Sequence, residues 1–231
     1  MSSLNQEEME RFREAVRQLE ERYADFRLED EKTDQELRTW LDGSDQPLDW
    51  AGAEAVTPDE WFFISTLYGE MTLDGQRSHI RKYFPSLFVD AARRDVRNFV
   101  PEMAEYQGLR SNWMSRRLAK MGEILQDRSM TMAEYTVSLR ELSLSASPAD
   151  PMPALDAVIA DHQASGWKTL SVFVRDCVGG NSFPIDSRVE KELRKHGLPS
   201  DERSLVSGCL EMGKNPRSVA RMFYQSGGGD D

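Results

Sequence analysis

The chain has 231 residues, a formal net charge of −11, 39% apolar and 30% charged side chains, room for one large domain or for two lobes sharing a cleft. No stretch approaches the roughly 20 apolar residues of a membrane span, and Met1–Phe12 has no basic segment followed by an apolar core, so neither membrane insertion nor secretion is expected. Two cysteines, Cys177 and Cys209, and three scattered histidines, His79, His162 and His196, do not make a disulfide framework or a metal cage; a reducing cytoplasm without metal or cofactor is expected.

Location matters more than net charge. Residues 1–60 carry 18 acidic and 7 basic side chains, whereas residues 61–231 carry 22 of each. Local patches on the remainder therefore decide which partners the chain attracts.

Residues 5–28 read as an amphipathic helix, because Met9, Phe12, Val16, Leu19, Tyr23 and Phe26 recur at steps of three and four. That seam either packs on the body of the same chain or serves a protein partner or self-association. A second short helix is expected over Asp34–Leu41, followed by a turn-rich acidic linker, Asp42–Val56. Residues 1–50 thus form an acidic N-terminal helical extension ahead of a body spanning 57–231.

Thr57-Pro58-Asp59-Glu60 supplies an N-cap, a proline at the first helical position and a glutamate at the third, opening an apolar helix through WFFISTLYGEM. Short helices broken near Pro85 and Pro101 are expected over Gln76–Gln107, where Arg81, Lys82, Arg93, Arg94 and Arg97 make either a solvated face or a phosphate-facing one. Gly108–Gln126 reads as a turn and a helix bearing Arg110, Arg116, Arg117 and Lys120. Thr131 and Glu134 form a second capping box, with its helix reaching about Leu144. Ser143–Pro153 reads as a linker by its Ser and Pro content. Helices follow at about 154–163, 168–178, 186–196, 201–212 and 215–225, and the SGGGDD tail is expected to fray. With no strand-like alternation, the fold class is all-α, in lobes of about 57–143 and 153–231.

A helix, a small-residue turn at Gln163–Gly166 and a second helix near Lys168 make a helix–hairpin–helix, whose open N–H groups could seat a phosphate. Lys168 stands in a helical first turn, where the dipole favours anions and disfavours the ammonium form of an amine. Asp186 follows 18 residues later, at the mouth of the next helix. It is either a plain N-cap or a carboxylate that steadies oxocarbenium-like charge.

Gly166-Trp167-Lys168 and Pro184-Ile185-Asp186 resemble the helix–hairpin–helix DNA glycosylase superfamily, with its Gly-x-Lys and downstream Pro-x-Asp. KTLSVFVRDCVG followed by IDSRVEKELRKHGL is most similar to the archaeal-type 8-oxoguanine DNA glycosylase/AP lyase subfamily. GLRSNWMSRRLAKM, with Asn112 and Arg117, resembles that family's helix after a Gly-rich turn. The resemblance runs over roughly 57–227. It implies two helical lobes with the active-site cleft between them, Lys168 as Schiff-base nucleophile, Asp186 as essential carboxylate and the Ala164–Ser165–Gly166 backbone on phosphate. Arg117 and Arg188 would join the DNA-binding surface.

The implied substrate is double-stranded DNA with a modified base, 8-oxoguanine-like or other, flipped out of the stack. Trp61, Phe62, Trp113 and Phe223 are candidates for the base pocket. Ala164 replaces the family's first hairpin glycine, and the four-cysteine cluster of some relatives is absent. Base excision repair in the cytoplasmic nucleoid is the leading expectation. The alternatives are removal of modified bases from foreign or phage DNA, a non-enzymatic helix–hairpin–helix DNA-binding module, and a helical interaction protein.

Overall fold

A computed structural model of the chain describes residues 3–23, 57–66, 75, 78, 95–99, 112–163 and 165–228, with the side chains of 112–115 left aside. Among these, every extended element is helical: α1 (Gln6–Arg22), α2 (Pro58–Thr66), a 3-10 turn (Val96–Asn98), α3 (Asn112–Asp127), α4 (Met132–Leu144), α5 (Pro153–Asp161), α6 (Trp167–Phe173) running into a π turn (Val174–Val178), α7 (Ser187–Lys195), α8 (Glu202–Glu211) and α9 (Pro216–Gly228). The all-α expectation holds for them. The expected helix at 34–41, the linker at 42–56 and most of 76–107 lie outside the described residues.

The expected capping boxes form. Thr57 N–H donates to Glu60 at 2.8 Å while Glu60 N–H donates to Thr57 Oγ1 at 3.2 Å. Thr131 and Glu134 repeat the exchange at 2.7 and 3.2 Å, so each helix start satisfies its own orphan N–H groups. Asn5 and Glu8 form a third box at α1.

The chain folds as two compact units, one of residues 1–28, 139–157 and 174–231, the other of 29–138 and 158–173. In the first unit the seam of α1, Met9, Phe12, Ala15, Val16 and Leu19, is buried. It is filled from within the chain, since Phe12 packs on Phe183 and Phe223 with ring centroids 6.5 and 6.0 Å away. Lys214 and Glu20 pair at 2.6 Å. A partner is thus not needed to cover this face.

The Ser/Pro-rich stretch after α4 is an ordered loop. Ser147 and Asp150 exchange backbone hydrogen bonds of 3.0 Å, Ser207 Oγ donates to the Pro148 carbonyl at 2.8 Å, and Pro151 and Met152 are buried. The first half of the SGGGDD tail departs from expectation: α9 is helical to Gly228, with Ser226 and Gly227 buried, while 229–231 lie outside the described residues. A Cβ on Gly227 would lie 1.9 Å from the Arg188 carbonyl oxygen, so these glycines let α9 approach α7 closely.

In the second unit α2 lies against α6, with Phe62 edge-on to Phe173 at 5.3 Å and to His162 at 5.4 Å. Gly122 of α3 faces the 3-10 turn, where a Cβ would meet the Val96 carbonyl oxygen at 2.7 Å.

Candidate functional site

Lys168 is the second residue of α6 and half-buried. The helix begins where the Leu170 N–H reaches the Gly166 carbonyl at 3.3 Å. Gly166 is exposed, and a Cβ there would meet nothing within 4 Å. Beside the lysine stands Trp167, 43% exposed. It is not among the aromatics that the sequence singles out, although an exposed indole offers more open surface for stacking than a buried ring. Its position directly before Lys168 is the signal that points to it.

The turn before α6 differs from the expected phosphate grip. The Ser165 N–H is spent on the His162 carbonyl at 3.3 Å, and its hydroxyl oxygen is buried. Ser165 therefore faces inward. Ala164 lies outside the described residues. His162 below the turn is fully buried, its Nε2 at 2.7 Å from the Arg117 carbonyl oxygen. A carbonyl only accepts, so Nε2 carries the proton. Burial lowers the pKa of the ring below its ordinary value, and the histidine anchors the end of α5 to α3.

Asp186 sits at the N-cap of α7, its Oδ1 accepting from the Arg188 and Val189 N–H groups at 3.0 and 2.9 Å. The preceding loop is held at several points. Phe183 is fully buried, its ring 5.6 Å from Phe223, and its N–H donates to the buried Glu202 carboxylate at 2.6 Å. Pro184 is buried as well, so the Phe-Pro-Ile lead delivers Asp186 to the helix start in one orientation. Two donors on a single carboxylate oxygen leave the other oxygen able to accept more.

Three sequence assignments change. Arg117 is only 8% exposed and its Nη1 donates to the Thr66 carbonyl at 3.1 Å; it ties α3 to the end of α2 and is no phosphate ligand. Phe62 and Phe223 are fully buried, each inside the aromatic packing of its own unit, so neither is a base-stacking surface. Trp61 is half-buried, and the side chain of Trp113 lies outside the described residues. Arg188 is exposed, its guanidinium 5.2 Å from the centroid of the Tyr224 ring.

Neither cysteine is in a disulfide, and burial pushes the Cys209 thiol well above its ordinary range. That thiol is inert packing. Among the described residues no group of three metal-ligating side chains gathers, and no helix is long and apolar enough to cross a membrane. Compared with protein-family models, with curated proteins and with solved structures, the chain matches none.

Proposed function

We propose that the protein is a DNA glycosylase with AP-lyase activity, removing a modified base, oxidised or otherwise altered, through a lysine Schiff base. The observation that supports it is the placement of Lys168: a half-buried amine in the first turn of α6, after an open glycine and beside an exposed tryptophan. The family resemblance assigns the essential carboxylate to Asp186, which stands at the mouth of α7.

The amine of Lys168, after giving up a proton, attacks C1′ of the target nucleotide through its nitrogen lone pair. The N-glycosidic bond breaks, its electron pair leaves with the base, and the base takes up a proton. The amine passes a proton to O4′ as the C1′–O4′ bond breaks and the sugar ring opens, leaving an iminium between Nζ and C1′. Loss of the C2′ proton then expels the 3′ phosphate, and water releases the lysine. Asp186 steadies the positive charge that develops at C1′. Trp167 offers a face for the nucleotide taken from the stack, an extrusion that itself costs a few kcal/mol.

Borohydride reduces the iminium to a stable amine, which makes the intermediate visible. A panel of duplexes, each with one modified base, is incubated with the protein and borohydride, and released bases are identified by mass spectrometry. A covalent adduct with at least one duplex is expected, and Lys168→Gln should abolish it. Absence of both adduct and released base across the panel would sink the reading. Persistence of the adduct in Lys168→Gln would move the nucleophile elsewhere.

A further inference from the structure

Residues 212–229 include Lys214, Arg217 and Arg221 and no carboxylate. Most of this run is α9. Arg217, Arg221 and Tyr224 recur at steps of four and three, so they lie along one stripe of that helix, Arg217 and Arg221 about 6 Å apart in rise. Arg188 of α7 lays its guanidinium over the Tyr224 ring at 5.2 Å, adding a third cation to the row.

The π turn borders the same stripe. Asp176 is engaged by both nitrogens of the Arg175 fork, Nε at 2.6 Å and Nη2 at 2.8 Å. Burial would raise its carboxyl, yet Arg175, Arg221 and Arg217 together hold it below the usual carboxylate range. One fork already balances that charge, and Arg221 Nη2 arrives in addition at 3.5 Å. Arg140 Nε donates to the Val178 carbonyl at 3.0 Å, a hydrogen bond that neutralises no charge. At Gly179, with φ of 75°, a Cβ would lie 3.5 Å from Arg217 Nη1. Arg175 and Arg221 have side chains only 17% and 24% exposed, so their field on a bound anion is less screened than that of surface lysines.

We propose that Arg140, Arg217, Arg221 and Arg188 form a track for the phosphate backbone of a nucleic-acid strand, with Arg175–Asp176 as its fixed base. A linear row of planar forks interrupted by an aromatic ring suits a repeating phosphodiester with bases attached, more than a compact anion. The identification of the strand as DNA rests on the glycosylase reading above. The track does not read base sequence.

The test uses the full-length protein and a fluorescent duplex, titrated between 50 and 300 mM salt. Removing one arginine from a phosphate lowers the slope of log affinity against log salt by about one. Arg217→Gln and Arg140→Gln should each flatten the slope by about that much and weaken binding several-fold at the lowest salt, equally for plain and modified-base duplexes. At saturating duplex the borohydride adduct through Lys168 should still form. If Arg217→Gln unfolds, as judged by circular dichroism, Arg140→Gln carries the test.

Slopes identical to wild type overturn the track. Failure of the wild-type protein to bind any duplex overturns it too, as does arginine-dependent binding of polyglutamate in place of DNA. Flattened slopes without any adduct would keep the track and discard the glycosylase.

Discussion

At the scale of single residues, the proposed mechanism gives Asp186 two separable duties. As a cap it satisfies two orphan N–H groups of α7; as a carboxylate it supplies charge. Asparagine keeps the first and removes the second, because its Oδ1 accepts the same bonds and it caps about as well as aspartate. Asp186→Asn should therefore melt within a degree or two of wild type while adduct formation falls by at least 100-fold. Asp186→Ala should lose the same activity and about 1 kcal/mol of stability as well. Equal melting of the two variants, read in urea titrations, would show that the cap is energetically idle. Full activity in Asp186→Asn would show that its charge is.

At the scale of elements, helix positions were legible because capping boxes and three-four periodicity are local. The starts at Thr57 and Thr131 and the run of helices from α5 to α9 follow from neighbours in sequence. Side-chain direction was less legible. Arg117 and Phe223 sit in helices with mixed faces, and only tertiary packing decides that Arg117 turns towards the Thr66 carbonyl and Phe223 towards Phe12. The glycine-rich tail misled for another reason: glycine favours fraying in isolation and close helix approach in company. Gly227→Ala tests the second effect. Its Cβ would fall 1.9 Å from a backbone oxygen of α7, which no rotamer relieves, so α7 and α9 must part. A loss of about 3 kcal/mol or more is expected in urea unfolding, despite the roughly 1 kcal/mol that alanine gains in helix propensity. Gly166→Ala is the control, because its Cβ enters open space and stability should hold. If Gly227→Ala proves as stable as wild type, α9 does not depend on that approach.

At the scale of the whole molecule, stability should vary with pH through a few buried groups in opposite directions. Burial raises the Asp59 carboxyl to about 6, against a lowering by the Val96 N–H and a further raise from Asp95. The folded state thus binds its proton more tightly than the unfolded chain, whose aspartate titrates near 4. The stability from this group is fully present below the unfolded value and is lost as pH rises through about 6. His162 has the opposite sign. Its folded pKa is lowered, so its contribution is present above the ordinary histidine value and is lost as pH falls below it. Against the opposing effect of burial, Asp176 is held low by Arg175, Arg221 and Arg217, and Glu192 by Lys195 and by hydrogen bonds from His196 and Ser226, so both also favour the folded state above the carboxylate range. Asp59→Asn isolates the first effect, since its Oδ1 can still accept from the Val96 N–H, now 2.8 Å from the carboxylate. At pH 7.5 the variant should be more stable than wild type by about 2 kcal/mol, the two-unit displacement allowing at most about 3. The difference should shrink as pH falls below 6 and drop to about 0.5 kcal/mol near pH 4, where the carboxyl is protonated in the folded state and about half protonated in the unfolded chain. Urea titrations at pH 4, 5, 6 and 7.5 read the whole curve. A gap constant across that range would mean that the substitution acts through packing and that the Asp59 proton plays no part.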